Sequence, residues 1–204
     1  MAVLVTDPRL EEQLIEQRRA SGADHHDEVW EGIYMMAPLP NSEHQRIVAR
    51  LVSVLAEVVA WPGLGDVFPG VNLTGVAEDW QHDFRVPDVA VFLNDGPGEN
   101  CDTHWRGGAD FLVEITSPGD RTAEKIPFYG RIGVKELLVV DRQPWRLGLY
   151  RGREGRMEKV GQSVPDQGET LASEAVGLQF RLVAADPRPQ IEVTHRATGR
   201  VWLV

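Results

Sequence analysis

Cysteine is almost missing from this chain: Cys101 is the only one among 204 residues. An intrachain disulfide is therefore excluded, and a reducing cytoplasm is the expected setting. Long apolar runs are missing too. No stretch approaches the roughly 20 residues that a membrane-spanning helix needs, so no membrane association is expected. The opening residues, MAVLVTDPRLEEQ, lack a basic start followed by an apolar stretch, so no signal peptide is expected. Positive charge is scarce, with 21 Lys and Arg against 31 Asp and Glu and a net charge of −10. That balance argues against a generic nucleic-acid binder, whose affinity rests on neutralising phosphates. The one basic stretch runs from Arg142 to Lys159, where six basic residues face only Glu154 and Glu158. A solvated hairpin accounts for it more simply than a binding surface. Internal repeats and linker-like segments are absent as well, so residues 1–204 are expected to form a single domain.

What is present is an ordinary globular balance, 42% hydrophobic and 25% charged. Asp7-Pro8 predicts a helix start, running over about 8–20 with Gly22 as its stop. Glu28 to Met36 reads as two short strands around Glu31-Gly32. Ser42-Glu-His-Gln45 predicts a capping box. Behind it Ile47, Val48, Leu51, Val52, Leu55, Val58 and Val59 recur at helical spacing. Strands are then expected over Asp66–Leu73, Phe84–Phe92 and Phe111–Thr116. A helix follows near Thr122–Ile132, in which Pro127 requires a late start or a bend. Glu136–Val140 and Arg146–Arg151 read as strands, with shorter ones near Met157 and Gln179 and a C-terminal strand extension over Ile191–Val204. The order predicts an α+β, mixed α/β class, not a regularly alternating doubly wound sheet.

One stretch poses a chemical question. Phe111-Leu-Val-Glu-Ile-Thr116 is a buried-strand sequence with a glutamate in its middle. An ionised carboxylate in an apolar core is costly unless a metal, a basic side chain or a proton compensates it. Alternation along the strand puts Leu112, Glu114 and Thr116 on one face and Phe111, Val113 and Ile115 on the other. Arg85-Val-Pro-Asp88 delivers a second carboxylate ahead of the apolar run Val89–Leu93. Two such carboxylates on adjacent strands repel unless a divalent cation or a shared proton lies between them. His44 would stand in the first turn of its helix, where the dipole disfavours the imidazolium. It and Glu31 are candidate accessory residues, against plain structural roles. Asp141 reads as a turn cap and His25-His26 as a solvated loop.

In ordered series, these residues resemble a known family. Glu31-Gly32, Pro40, His44, Arg85-Val-Pro-Asp88, Val113-Glu-Ile-Thr-Ser-Pro118, Glu124-Lys125, Tyr129 and Gly133-Val-Lys-Glu-Leu137 resemble the Uma-two family of restriction endonucleases, within the PD-(D/E)XK nuclease superfamily. The resemblance runs from about Glu28 to Arg151. It implies a restriction-endonuclease-like fold, with a central mixed sheet flanked by helices. It also implies a Mg²⁺-dependent endonuclease acting on phosphodiester bonds in DNA, with Mn²⁺ able to substitute. Asp88, Glu114 and the carbonyl of Ile115 would hold the metal, and Lys125 would complete the catalytic set. The superfamily's lysine two residues after the glutamate is replaced here by Thr116, and Lys125 from the next helix stands in for it. A homodimer is implied by analogy with nucleases that cut duplexes, and the apolar ending Val201-Trp-Leu-Val204 should pack against something. The rival class is a non-catalytic nucleic-acid-binding or regulatory module that keeps the fold; a weaker one is a hydrolase of another phosphoester.

Overall fold

The structure is a computed structural model that describes residues 8–117, 119–165 and 167–204. Helix α1 spans Pro8–Ser21 and ends at Gly22, whose positive φ of 69° suits a residue without Cβ. The expected cap Asp7 lies outside the described residues. The hairpin strands Glu28–Trp30 and Ile33–Met35 turn through Glu31 and Gly32, both at positive φ. Helix α2 covers Ser42–Leu55 and continues as a π-helical turn, Ala56–Ala60. Its cap is Asn41 rather than the expected Ser42: the Asn41 carboxamide oxygen accepts from the His44 N–H at 2.9 Å. Helix α3, Thr122–Arg131, contains Pro127. The N–H that Pro127 lacks would have served the carbonyl of Ala123, an exposed residue whose backbone water can reach.

Six strands form the central mixed sheet, in the order Arg156–Ser163, Trp145–Arg153, Glu136–Arg142, Phe111–Ile115, Val89–Leu93, Gly65–Phe68. All neighbours are antiparallel except Phe111–Ile115 with Glu136–Arg142, which are parallel and joined through α3. Phe111, Val113 and Ile115 pack with Ile47, Leu51 and Leu55 of α2. Phe180, from the C-terminal four-stranded sheet, stacks on Phe111 on that same side, with ring centroids 5.6 Å apart. Leu112 faces the opposite cluster, with Phe128 and Tyr129 of α3 and Leu73 and Trp105 of a third sheet. A strand covered on both faces buries every side chain, and Phe111–Ile115 does so at all five positions, Glu114 included.

The two long strands expected between Asp66 and Phe92 are each broken. Leu73–Thr74 and Phe84–Arg85 leave the central sheet for the third one, where Phe84 also pairs with Val29. Pro87, which has no N–H to give a ladder, separates Phe84–Arg85 from Val89–Leu93. The break places Asp88 at a sheet end and brings the Glu28 strand beside α3. At the C-terminus Val204 is buried and Trp202 packs on the core, while Val201 and Leu203 are exposed.

Candidate active site

Val89 pairs with Val113 and Ala90 with Leu112, so the register continues to bring Asp88 opposite Glu114. Asp88 is fixed at both oxygens: the Ile115 N–H donates to Oδ2 at 2.7 Å, and His44 Nε2 lies 3.1 Å from Oδ1. That contact assigns the ring proton to Nε2. The other ring nitrogen, Nδ1, is buried and without a hydrogen-bond partner among the described residues. Helix α2 thus presents its first turn to the end of the sheet, and Arg142 holds it there. The buried Arg142 guanidinium donates to the Thr116 carbonyl at 3.0 Å, the Ser117 hydroxyl at 2.7 Å and the Asn41 side chain at 3.1 Å. One side chain therefore ties the cap of α2 to the end of the Glu114 strand.

Glu114 faces α3. Lys125 Nζ stands 3.1 Å from its Oε1 and 3.3 Å from its Oε2, and the Tyr129 hydroxyl donates to Oε1. The four-residue spacing of Lys125 and Tyr129 sets both on one side of the helix. Lys125 also pairs with Glu28 Oε1 at 2.8 Å. Glu28 is itself buried and oriented, accepting from the Val86 N–H at 2.8 Å and from Trp30 Nε1 at 2.6 Å. Sequence reading did not single out Glu28, because it reaches the site through pairing of Val29 with Phe84, distant in the chain. Glu31, a candidate, is not brought in: its side chain is 75% exposed and lies 3.5 Å from Arg131. Asp141 accepts from the Thr116 hydroxyl at 3.0 Å and from Arg146 Nε at 2.8 Å, so Thr116 is engaged away from Glu114.

The electrostatics follow from counting charges. Glu28 and Glu114 share the Lys125 ammonium, and Asp88 adds its negative charge nearby. Burial pushes Glu114 up to about 8; Lys125 opposes the rise, while Asp88 and Glu28 add to it. Burial would lower Lys125, but Glu114 and Glu28 outweigh it and hold the ammonium above the ordinary lysine value. Tyr129 is raised well above its usual range, first by burial and then by Glu114. Lys125 is therefore a fixed cation, and Glu114 is under-compensated. Among the described residues no three His, Cys, Asp or Glu side chains form a ready metal cage. The donor chemistry nonetheless fits a hard divalent ion: Asp88 and Glu114 offer oxygens only, burial makes the ionised form of Glu114 costly without a cation, and such an ion keeps several waters of its own. Tyr129→Phe removes the hydroxyl donor to ionised Glu114. It should lower the free energy of unfolding by about 1–2 kcal/mol, more at pH 9 than at pH 6. Urea titrations at the two pH values check this, and an equal loss at both would count against a charge-assisted bond.

The comparisons with known proteins bear on this geometry. The sequence profile of the Uma2 (Uma-two) family, described as "Putative restriction endonuclease", matches residues 12–185. The chain belongs to the Uma2 family. A solved structure described as "a putative nuclease belonging to DUF820 from Anabaena variabilis" superposes with a TM-score of 0.56. The two share 22% identity over 73% of this chain and 83% of that one. That likeness shows the fold, which is restriction-endonuclease-like. No curated protein sequence matches the chain. No helix among the described residues is long and apolar enough to cross a membrane. In this Uma2 protein the strand that carries Glu114 and the helix that carries Lys125 both fall within the matched span.

Proposed function

We propose that this protein is a Mg²⁺-dependent endonuclease that hydrolyses phosphodiester bonds in DNA, with Asp88, Glu114 and Lys125 as its catalytic set. The observation that carries the reading is the buried Glu114, set opposite the partly exposed Asp88 by the strand register, with Lys125 Nζ 3.1 Å away. Membership of a restriction-endonuclease family supports a nuclease and the choice of DNA, and the choice of a hard divalent metal rests on the oxygen donors of the site. Asp88 and Glu114, with the carbonyl of Ile115, would hold the ion, and Mn²⁺ would substitute. A bound divalent cation supplies charge neutralisation at phosphate and lowers the pKa of a coordinated water. The chain's own groups do the rest. His44 and the Ile115 N–H fix both oxygens of Asp88, so that carboxylate needs no reorganisation. Tyr129 orients Glu114, and Glu28 anchors the ammonium from its other side. Lys125 keeps its proton, so it serves as a stabilising cation and orienting donor rather than a general base.

The test couples binding with turnover. Mg²⁺ at a hundred times its dissociation constant should add about 2.7 kcal/mol to stability, read as a rise in Tm. Mn²⁺ soaked into crystals should give anomalous density between Asp88 and Glu114. DNA cleavage should require the ion and disappear in Asp88→Asn. Anomalous density only at other positions would remove these two carboxylates from the metal site. Metal binding without any turnover on DNA would instead indicate a non-catalytic descendant.

A further inference from the structure

The sheet face that carries Glu114 does not close beyond it. A cleft of about 360 Å³ opens between α3 and the strands Glu136–Arg142 and Trp145–Arg153. It begins at Thr116, two residues from Glu114 on the same face, and takes in Val139, the register partner of Glu114 on the next strand. On α3 it is lined by Ile126, which directly follows Lys125. Across the sheet the order is therefore Asp88, Glu114, cleft. Nothing in the roles assigned above uses this space.

We propose that the cleft receives the base of an unpaired nucleotide adjoining the cleaved phosphate, so that the substrate is single-stranded DNA or an unpaired DNA end rather than intact duplex. The inference rests on the phosphodiesterase reading above and adds to it the class of DNA. Three features carry it. The first is chemistry. Ile126, Val139 and Tyr150 offer apolar surface to the faces of a heterocycle, and the Gln143 amide offers a donor and an acceptor to its edge, beside the Thr116 hydroxyl and Arg146 that Asp141 already engages. The second is size. The volume lies near the lower end of the roughly 300–1,000 Å³ typical of small-ligand sites. It suits one nucleotide and not a stack of base pairs. A base that is already unpaired enters without the unstacking a duplex would demand.

The third feature is charge. A surface that grips duplex DNA needs cations free to meet phosphates on both strands. Half of the basic stretch of this chain is engaged within the protein. Arg142 is buried in its contacts with α2 and Thr116, Arg146 pairs with Asp141, and Arg151 with Glu136, while Arg153, Arg156 and Lys159 are exposed. With a net charge of −10, seating a base recovers binding free energy that phosphate contacts cannot supply in quantity.

Fluorescence anisotropy with the full chain tests this without requiring turnover. The probes are a short labelled single strand and the same sequence as a blunt duplex, each with and without Mg²⁺. The single strand should bind at least about tenfold tighter than the duplex. Ala123, exposed on α3 at the cleft, can be enlarged without disturbing the core. Ala123→Trp should weaken single-strand binding by about tenfold or more and leave the duplex value and the Mg²⁺-induced shift in Tm unchanged. Should that variant misfold by circular dichroism, Tyr150→Leu and Gln143→Ala carry the same comparison. Equal affinity for the two probes, or a filled cleft that still binds the single strand as before, overturns the inference. Loss of single-strand binding in Ala123→Trp by a protein that cuts no DNA would retain the cleft and reject the phosphodiesterase reading. Cleavage that is indifferent to the filled cleft would do the reverse.

Discussion

Lys125→Ala should lower turnover on DNA by about 10²–10³-fold, the cost of removing one preorganised charge donor at a developing anion. The ammonium sits 2.8 Å from Glu28 and 3.1 Å from Glu114, held from both sides, so its position is fixed before substrate arrives. The substitution leaves two buried carboxylates without their shared cation. A stability loss of about 3–5 kcal/mol is expected above pH 8 where Glu114 is ionised, relieved at lower pH as Glu114 takes up a proton. Turnover must therefore be normalised to folded, metal-loaded molecules. The Mg²⁺-induced rise in Tm should persist, because Asp88 and Glu114 remain. Adding Thr116→Lys should recover only part of the activity. Position 116 shares the face of Glu114, but its present hydroxyl donates to Asp141, and a lysine there would be divided between Asp141 and Glu114. Full activity of Lys125→Ala at saturating metal would take the lysine out of the mechanism. A loss of stability with unchanged turnover per folded molecule would reduce it to a charge balancer.

The parts of this site that could be read from sequence are those set by local pattern. A glutamate inside Phe111–Ile115 is visible because strands alternate and apolar runs rarely admit carboxylates. Asp88 is visible because Pro87 marks a strand boundary. Lys125 came from the family resemblance and not from any periodicity. What could not be read depends on pairing between distant segments. Glu28 lies beside Lys125 only because its hairpin joins Phe84–Arg85 in a sheet separate from the central one. The same hairpin turns Glu31 outward at a positive φ of 51°. Helix α2 shows the same division: its buried stripe is periodic, whereas its cap shifted by one residue, because Asn41 competes successfully with Ser42 for the first free N–H groups. Arg142 belongs to a stretch whose charge suggested a solvated surface, yet its guanidinium is buried between three separate elements.

Metal-free protein should lose stability as pH rises from about 5 to 8.5, and Glu114→Gln should abolish most of that loss. Glu114 has an ordinary value of 4.5 when unfolded and is pushed up to about 8 in the fold, by burial first and then by Asp88 and Glu28 against the pull of Lys125. Between those two values the folded protein keeps a proton that the unfolded chain has released. The contribution is therefore fully present below 4.5 and is lost as pH climbs through 8. Its size is on the order of a few kcal/mol, which for a chain of this length corresponds to a fall in Tm of about 10 °C. A glutamine keeps the shape, does not titrate, and should give a nearly flat profile across the window. A Mg²⁺ ion held as proposed would have the opposite dependence: it would compete with the proton for Glu114, so it should stabilise little at pH 5 and most at pH 8.5, where it should restore much of what ionisation removed. In Glu114→Gln the Mg²⁺ response should shrink at every pH, and DNA cleavage should be lost. Scanning calorimetry of both proteins, in EDTA and in Mg²⁺, measures all four profiles. Parallel EDTA profiles for wild type and Glu114→Gln would show that the carboxylate is ionised in the fold from pH 5 upward, already compensated by Lys125 and Tyr129, and the electrostatic case for a divalent ion at this site would fall with it.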